Sequence, residues 1–441
     1  MQFAIFRAPV TSASAQPRLA PGVGPDAVAP GKRQCLKFGS RYFVYAADDA
    51  PRPGSMQLAD ATIEKEAALE RRHIDTLHLV TQQGRLFQKR FPDVPILLDA
   101  GRHLLISADP GLAAKLAASS QPGFKVEPVT GDEDVFVDCP CPSPRPEPDP
   151  SVLRVVDRLS PVALKAGVTT LATYPTRNSL TRHYADAAAW AADRLMAMGY
   201  ATTMWGFDIA GSATYPAGRS LNVIADKQGT GPGERALVLV VAHLDSVNHE
   251  EELQQGLGAA APGADDNASG SVGLLEMARV FHDVATEHDL RFILFGGEEQ
   301  DLLGSAHYVK RLSARDRARI TAVLNMDMIA VDNQESKPPA VLLEGGPVSE
   351  TLIEELCAAA HAYTRLDVKR TLKPWGSDHV SFLTAGIASV LTIEGYDRSN
   401  ERVHSARDML DFLDYRLAID ILRMNTAFVA KRAGLVAAPT S

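Results

Sequence analysis

Six short apolar runs between residues 221 and 393 constrain the fold more than any other feature of this chain. They are short, rich in β-branched residues and without a regular alternation of apolar and polar residues, which is the pattern of strands buried on both faces. The runs are Leu221–Ala225, Ala236–Ala242, Leu290–Phe295, Ile320–Leu324, Ala340–Leu343 and Ala388–Ile393. Amphipathic stretches such as Ser269–Val284 lie between them. We therefore predict an α/β fold with a mostly parallel central sheet covered by helices.

A proline-rich segment separates this part of the chain from what precedes it. Proline occupies every second position from Pro140 to Pro150, which disfavours helix and sheet and favours a semi-rigid spacer. We predict a linker over residues 139–151 and a larger second domain over residues 152–435. Before the linker, we predict a flexible arm over residues 1–32 and a small α+β domain over residues 33–138.

The small domain has recognisable elements but no residues to which we can assign chemistry. Tyr42–Ala46 alternates like a strand, and Ala61–Val80 has helix-forming composition. Pro95–Leu98 and His103–Ser107 are predicted to pair as strands, and Gly111–Ser119 to form a helix. The domain could act as an inhibitory propeptide, as a substrate gate or in dimerisation.

Composition excludes several classes of function. The net charge of -9, without any basic run, argues against a nucleic-acid partner. No apolar stretch approaches the ~20 residues that span a bilayer, so we expect no membrane association. The N-terminus has no apolar core of signal-peptide length, so either the protein stays in the cytoplasm or a leader is missing from this version of the chain. Four cysteines are too few to hold a fold together by disulfides.

Polar side chains follow three of the predicted strands at the point where each strand ends. His243 and Asp245 come after the second run, Glu298 and Glu299 after the third, and Asp327 after the fourth. The carboxyl ends of parallel strands meet at one edge of the sheet, where sites form in open α/β folds. His243 and Asp245 would share a face of an extended strand, so the carboxylate could hold the imidazole that binds a metal.

Adjacent carboxylates indicate that this edge binds cations. Glu298 and Glu299 would repel each other in a buried place unless a cation lay near them. If one binds metal, the other can act as general base on a metal-bound water. The loop from Gly263 to Gly270 holds Asp265 and Asp266 between small residues, and a carboxylate there could bridge two ions. Mixed imidazole and carboxylate ligands suit zinc, and could also take cobalt or manganese.

Taken together, these motifs resemble the co-catalytic dizinc aminopeptidases, which include bacterial leucyl aminopeptidases and have glutamate carboxypeptidase and the transferrin receptor ectodomain as relatives. The resemblance covers about residues 152–435. It rests on the order and spacing of His243-Leu244-Asp245, Gly263-Ala264-Asp265-Asp266-Asn267-Ala268-Ser269-Gly270, Phe295-Gly296-Gly297-Glu298-Glu299, Asn325-Met326-Asp327-Met328, Ser377-Asp378-His379 and His404.

The resemblance implies a role for each of these positions. Asp265 would bridge two zinc ions, with His243 and Asp327 completing one site, and Glu299 and His404 completing the other. The general base would be Glu298, and Asp245 would orient His243. The substrate would be a peptide or small protein with a free N-terminus. The family often has a tyrosine shortly before the Ser-Asp-His motif to stabilise the oxyanion, but Lys373-Pro374-Trp375-Gly376 stands here, so this donor is unassigned.

Three other functions are compatible with parts of this pattern. A carboxypeptidase or dipeptidase could use the same metal centre. A glutaminyl cyclase-like acyltransferase has a related fold but keeps a single zinc, against which both histidines and the paired carboxylates argue. A metal-free interaction domain, as in receptor relatives, would not need every ligand and Glu298. By resemblance to the family, a secreted or periplasmic location is also open, and the oligomeric state is not indicated.

Overall fold

A computed structural model of the chain describes most of its residues, and those form two compact units. The first unit is Met1–Asp138 together with Lys369–Thr371, and the second is Cys139–Val368 with Leu372–Ser441. The described residues are 3–7, 35–38, 42–46, 76–82, 85–99, 102–118, 124–129, 133–212, 215–333, 338–395 and 400–436.

The first unit contains eight strands of its own and two described helices. Its elements are β1 Phe3–Arg7, β2 Cys35–Phe38, β3 Tyr42–Ala46, β4 Leu77–Gln82, α1 Leu86–Arg90, β5 Ile96–Asp99, β6 His103–Ser107, α2 Pro110–Ala118, β7 Phe124–Pro128 and β8 Glu133–Asp138. An antiparallel four-stranded sheet has the order β5-β6-β4-β7. Strands β1, β3 and β2 pair antiparallel, and β2 then pairs parallel with β8.

The strand and helix predictions for this unit have mixed outcomes. Strand β3, the β5–β6 pair and helix α2 confirm the predictions. Phe3–Arg7 was assigned to a flexible arm, and there the prediction was wrong because this segment pairs with β3. The helix prediction over Ala61–Val80 is wrong at its C-terminal end, because strand β4 begins at Leu77. Residues 61–75 lie outside the described residues, as does most of the predicted arm.

The second unit is built around a mixed sheet. Its elements are α3 Pro150–Val156, α4 Pro161–Ala172, α5 Arg182–Ala197, β9 Ala201–Ile209, β10 Gly218–Lys227, β11 Leu237–His243, α6 Glu252–Gln255, α7 Gly270–Phe281, β12 Asp289–Phe295, α8 Leu303–Arg311, α9 Ala314–Arg319, β13 Ile320–Met326, β14 Ala340–Gly345, α10 Glu350–Tyr363, β15 Asp367–Thr371, α11 His379–Thr384, β16 Ser389–Glu394 and α12 Tyr415–Ala433. The last three residues of β15 belong to the first unit, where Lys369 and Arg370 pair antiparallel with β8.

The sheet of the second unit has the order β14-β16-β13-β11-β12-β10-β9. Strands β16, β13, β11 and β12 run parallel to one another. The outer pairs, β14 with β16, β12 with β10 and β10 with β9, are antiparallel. The α/β fold predicted from the apolar runs is confirmed, with a parallel centre and antiparallel margins instead of a mostly parallel sheet.

Burial on both faces explains why strand β11 is apolar from Leu237 to Ala242. All seven residues of β11 are buried. Val238 and Val240 pack in the larger core cluster, which includes residues of α7 and α12. Leu239 and Val241 pack in a second cluster with Tyr308 of α8 and Phe382 of α11. Helices therefore cover both faces of the strand that ends at His243.

Helix α5 has the ends that its sequence predicts. The Thr181 hydroxyl caps the first turn by accepting a hydrogen bond from the Tyr184 backbone N–H at 3.4 Å. Gly199 follows the last turn with φ of 88°, a left-handed conformation that glycine adopts without strain. Among the described helices, none combines the length and hydropathy needed to cross a membrane.

Candidate metal centre

Three adjacent parallel strands bring polar side chains to one edge of the sheet. Strand β11 ends at His243, β12 runs into Glu298 and Glu299, and β13 is followed by Asp327. Because β11 lies between β12 and β13, these carboxyl ends are neighbours. His243 Nε2 lies 3.1 Å from Asp327 Oδ1. The structure thus brings together the strand-end residues that the sequence selected.

Asp266 occupies the centre of this cluster. Its Oδ1 lies 3.3 Å from His243 Nε2, and its Oδ2 lies 3.0 Å from His404 Nε2. His404 Nε2 is also 3.0 Å from Glu299 Oε2. Burial raises the pKa of Asp266, but the hydrogen bonds from the two imidazoles outweigh it and lower that pKa overall. One carboxylate is therefore shared between His243 at the end of β11 and His404 on the segment between β16 and α12.

Asp265 does not lie in this cluster, so the bridging position predicted for it is wrong. Its Oδ1 accepts a hydrogen bond from the Ala330 backbone at 3.0 Å, and its Oδ2 accepts one from Asn400 Nδ2 at 3.0 Å. Burial, and then the charge of Asp408, raises the pKa of Asp265 well above its usual range. The sequence could not separate the two neighbours, because the backbone turn at residues 264–269 decides which carboxylate faces the histidines.

The backbone of this turn is fixed by the amide of Asn267. Its Nδ2 donates to the Met326 carbonyl at 2.9 Å, and its Oδ1 accepts from the backbone N–H of Gly270 at 2.9 Å. Met326 is the last residue of β13, so Asn267 ties the loop of Asp266 to the strand that precedes Asp327. Close packing explains the glycine at position 270, because a Cβ added there would lie 2.7 Å from the Met326 carbonyl oxygen.

Asp245 holds the turn that carries the two glutamates. Its Oδ1 and Oδ2 accept the backbone N–H groups of Glu298 at 3.4 Å and Glu299 at 3.3 Å. Asp245 Oδ1 is also 3.6 Å from Nδ1 of His243, and that nitrogen contacts the Asp245 carbonyl oxygen at 3.2 Å. Asp245 is thus placed to orient His243, as the sequence suggested, and to position Glu298 and Glu299 as well.

Asp408 was not assigned from the sequence, although it lies four residues after His404. Its two carboxylate oxygens accept the backbone N–H groups of Asp265 and Asp266, both at 2.9 Å. Its carbonyl oxygen accepts the backbone N–H of Ala264 at 3.2 Å. Burial raises the pKa of Asp408 to about 7. Asp408 therefore joins the loop of the shared carboxylate to the loop of His404.

Arg177 is completely buried behind the same loops. Its guanidinium donates to the carbonyl oxygens of Leu244 at 2.9 Å, Gly263 at 2.9 Å and Pro262 at 2.5 Å. Burial lowers the pKa of Arg177 to about 10, although nearby carboxylates such as Asp408 oppose the shift. A fixed positive charge with several donors thus anchors the segments on either side of the cluster.

Two of the residues at the site have strained backbones. His404 has φ of 56° and Met328, directly after Asp327, has φ of 51°. Residues other than glycine rarely adopt this region, and such conformations persist only where surrounding contacts impose them. Here the strain turns the His404 side chain toward Asp266 and Glu299, with which its Nε2 makes contacts of 3.0 Å.

The buried carboxylates and imidazoles of the cluster favour the binding of cations. Burial raises the pKa of Glu298 well above its usual range and that of Glu299 to about 7. Within the described part of the chain, Oε1 of Glu299 and Nδ1 of His404 are buried without a hydrogen-bond partner. Overlapping groups of metal-ligating atoms lie within 4.8 Å of one another, namely His243-Glu298-Asp327, His243-Asp266-Glu299 and His249-Glu299-His404. Buried imidazoles and carboxylates in this arrangement fit divalent metal ions, zinc in particular.

The Ser377-Asp378-His379 motif is buried beside the cluster. His379 Nε2 lies 3.2 Å from Oε1 of Glu344, which also accepts the Trp375 backbone N–H at 2.5 Å. Burial raises the pKa of Asp378 to about 7, and the charges of Asp245 and Asp327 act in the same direction. These contacts hold the motif beside the cluster. None of them identifies the oxyanion donor, which stays unassigned.

His249 lies at the site and has no role assigned from the sequence. Its ring and that of His404 meet edge to face, with centroids 4.7 Å apart. Burial and the charge of His404 lower the pKa of His249 to about 3, so the imidazole is neutral. His249 thus lies at the Glu299 and His404 side of the cluster.

Comparisons with known proteins agree with this geometry. The aminopeptidase YwaD of Bacillus subtilis is 33% identical over 198 residues, which cover 44% of this chain and 40% of YwaD. Leupeptin-inactivating enzyme 1 of Streptomyces exfoliatus is 31% identical over 232 residues, which cover 51% of this chain and 47% of that protein. The matches thus span less than half of each of these two relatives.

Solved structures show the same fold. A zinc aminopeptidase from Bacillus subtilis superposes with a TM-score of 0.55 at 19% identity, covering 63% of this chain and 96% of its own. The LapA aminopeptidase of Legionella pneumophila gives a TM-score of 0.55 at 18% identity, covering 82% of this chain and 99% of its own. The model of peptidase family M28 matches residues 222–429, which include every strand-end residue described above. Over these residues, the chain is therefore similar to peptidase family M28.

Proposed function

We propose that this protein is a metal-dependent aminopeptidase, which releases N-terminal amino acids from peptides or small proteins. The observation that carries the proposal is the position of Asp266, which presents one oxygen to His243 at 3.3 Å and the other to His404 at 3.0 Å. A shared carboxylate between two imidazoles is suited to two ions in one centre. The similarity to aminopeptidases from several organisms supports peptide substrates with a free N-terminus.

The ligands divide into two sets around the shared carboxylate. We assign His243 and Asp327 to one ion, Glu299 and His404 to the other, and Asp266 to both. Two zinc ions held there would polarise the scissile carbonyl group and lower the pKa of the attacking water. Cobalt or manganese could occupy the same mixed imidazole and carboxylate sites.

Glu298 is the proposed general base. It belongs to the group formed with His243 and Asp327, and the Asp245 carboxylate holds its backbone N–H. Burial raises its pKa, as is typical of carboxylates that exchange protons near neutral pH. The Glu298 carboxylate would take a proton from the attacking water and deliver it to the leaving amine.

Replacing Glu298 by glutamine tests this assignment. Glutamine keeps the shape of the side chain but cannot accept the proton, so kcat should fall by ~10²–10⁴-fold. The zinc content, measured by elemental analysis, should be unchanged. His243→Ala is the matched control, because it removes a ligand and should lower the zinc content. Near-normal turnover by Glu298→Gln would rule out Glu298 as the base.

The position of the cleaved bond is tested separately. We expect wild-type protein to hydrolyse aminoacyl-nitroanilides and to leave peptides with an acetylated N-terminus intact. A carboxypeptidase on the same centre would instead cleave the acetylated peptides and spare those with an amidated C-terminus. Cyclisation of an N-terminal glutamine without peptide hydrolysis would indicate the acyltransferase alternative.

A further inference from the structure

His249 is the imidazole of this site to which no role has been given. It lies on the segment between β11 and α6, six residues after His243. His249, Glu299 and His404 each offer a ligating atom within 4.8 Å of the others. Ligands at ~2.0–2.2 Å from one zinc ion lie somewhat closer together than this, so a small side-chain movement would bring all three to one ion.

The backbone holds His249 beside His404. Its N–H donates to the His404 carbonyl oxygen at 3.1 Å. On one side of it, Asn248 is buried and its Nδ2 donates to the Ala260 carbonyl at 2.7 Å. On the other side, Oε1 of Glu250 pairs with Arg407 at 3.0 Å. The segments around His249 and His404 are therefore joined at two points, and the two rings lie 4.7 Å apart.

The ring nitrogens of His249 have no competing partner among the described residues. The other two imidazoles of the cluster each contact carboxylates, His243 through Asp327 and His404 through Glu299. The ring of His249 makes only the edge-to-face contact with His404, and the hydrogen bonds of the described chain do not include either of its nitrogens. Half-buried and without a side-chain hydrogen bond to the described residues, this imidazole can bind an ion without first breaking such a bond.

We propose that His249 is an additional ligand of the ion held by Glu299 and His404. This inference rests on the proposed metal centre and extends it. With Asp266 shared, that ion would have four protein ligands, whereas the ion at His243 and Asp327 would have three. Four protein ligands are typical of closed zinc sites, and three leave a coordination position open. The two sites are therefore unequal, and the ion at the His243 side is the one with an open position.

Metal titration of the demetallated protein tests the inference without any substrate. Co²⁺ binding is followed by calorimetry and by the visible absorption of the bound ion, which depends on its ligands. The wild-type protein should bind two ions. His249→Ala should weaken one of the two binding steps by ~10–100-fold and change the spectrum of that ion only.

Two further variants separate ligation from other effects. His249→Phe keeps an aromatic ring against His404 but has no ligating atom, so it should behave like His249→Ala. Glu251→Gln changes an exposed contact with Gln255 on the same segment and should leave both binding steps unchanged. If both His249 variants bind Co²⁺ with the wild-type affinity and spectrum, the inference is overturned. The same holds if only KM for a peptide changes, because His249 would then contact the substrate and not the metal. Failure of the wild-type protein to bind Co²⁺ at all would instead contradict the proposed function.

Discussion

Asp265 and Asp266 are neighbours in the chain but have different surroundings. Asp266 faces two imidazoles, whereas Asp265 accepts hydrogen bonds from the Ala330 backbone and from Asn400. Burial raises the pKa of Asp265 and so disfavours its charged form, whereas the pKa of Asp266 is lowered, so an uncharged amide should be tolerated better at position 265. The two aspartates should therefore respond differently to the same substitution.

We expect Asp266→Asn to lose metal and Asp265→Asn to keep it. Asparagine at position 266 has only one oxygen, so it cannot serve both ions, and the affinity for zinc should fall by ~100-fold or more. Asparagine at position 265 keeps one side-chain oxygen, which can still accept the hydrogen bond from the Ala330 N–H. Zinc stoichiometry by elemental analysis after dialysis, with a folded far-UV spectrum as control, measures the difference. Loss of metal from Asp265→Asn alone would restore the assignment made from the sequence.

Asp408 should influence metal binding without touching the metal. Its carboxylate accepts two backbone N–H groups of the loop that carries Asp266. In Asp408→Asn, the amide NH₂ would face one of these donors, so the loop should shift and zinc affinity should fall by ~10–100-fold. Competition with a chelator measures the affinity. Asp411→Asn, three residues further along, is the control and should bind zinc like the wild type.

At the scale of elements, the end of the sheet away from the cluster depends on Asp289, the first residue of β12. Its Oδ1 accepts from Arg235 Nε at 2.6 Å and from the Gly229 backbone at 2.8 Å, and its Oδ2 pairs with Arg319. Burial raises its pKa, but the interactions with Arg235 and the Gly229 N–H, together with the charge of Arg319, outweigh this and lower it. One carboxylate thus ties together the segments that precede β11, β12 and β13.

Asp289→Asn should therefore destabilise the fold and leave the metal centre intact. Losing charge-assisted hydrogen bonds should reduce the free energy of unfolding by ~1.5–3 kcal/mol at pH 7. Because the pKa of Asp289 is lower in the folded state than in the unfolded state, this contribution is complete above the unfolded-state pKa and is lost as the pH falls through the folded-state pKa. Urea unfolding should show the two proteins converging in acid. Asp208→Asn, at an exposed pair with Arg219, should change stability by less than ~1 kcal/mol.

The central elements could be predicted from the sequence because their environment leaves a clear signal. Residues of β11 are buried on both faces, and the resulting apolar run identifies the strand and its end at His243. Strand β9 was not predicted, because seven of its nine residues are exposed or half-buried and the apolar alternation is confined to Trp205, Phe207 and Ile209 at its end. The choice between Asp265 and Asp266, and the role of Asp408, depend on contacts between distant loops, for which one sequence has no local pattern.

At the scale of the whole molecule, the two units contribute differently to function and stability. All the proposed ligands lie between His243 and His404, within the second unit. The first unit, however, includes Lys369–Thr371 from the later part of the chain. There Lys369 Nζ pairs with Asp138 at 2.6 Å, and the Thr371 hydroxyl donates to the Val135 carbonyl at 2.6 Å. Residues 1–138 are therefore not a simple N-terminal addition, since they hold a strand that belongs to a later segment.

Removal of residues 1–138 should lower stability while leaving the ligands in place. Strand β15 would lose its partner β8 and present unpaired N–H and C=O groups, which favours aggregation. We expect a chain beginning at Cys139 to have a lower Tm than the full chain, measured by calorimetry, and to retain the wild-type zinc content. Hydrolysis of aminoacyl-nitroanilides then separates the roles proposed for the first unit. A higher kcat/KM per zinc-loaded molecule would indicate an inhibitory propeptide, whereas an unchanged value with a lower Tm would indicate that the unit acts through stability. A zinc content that falls with the truncation would contradict the assignment of all ligands to the second unit.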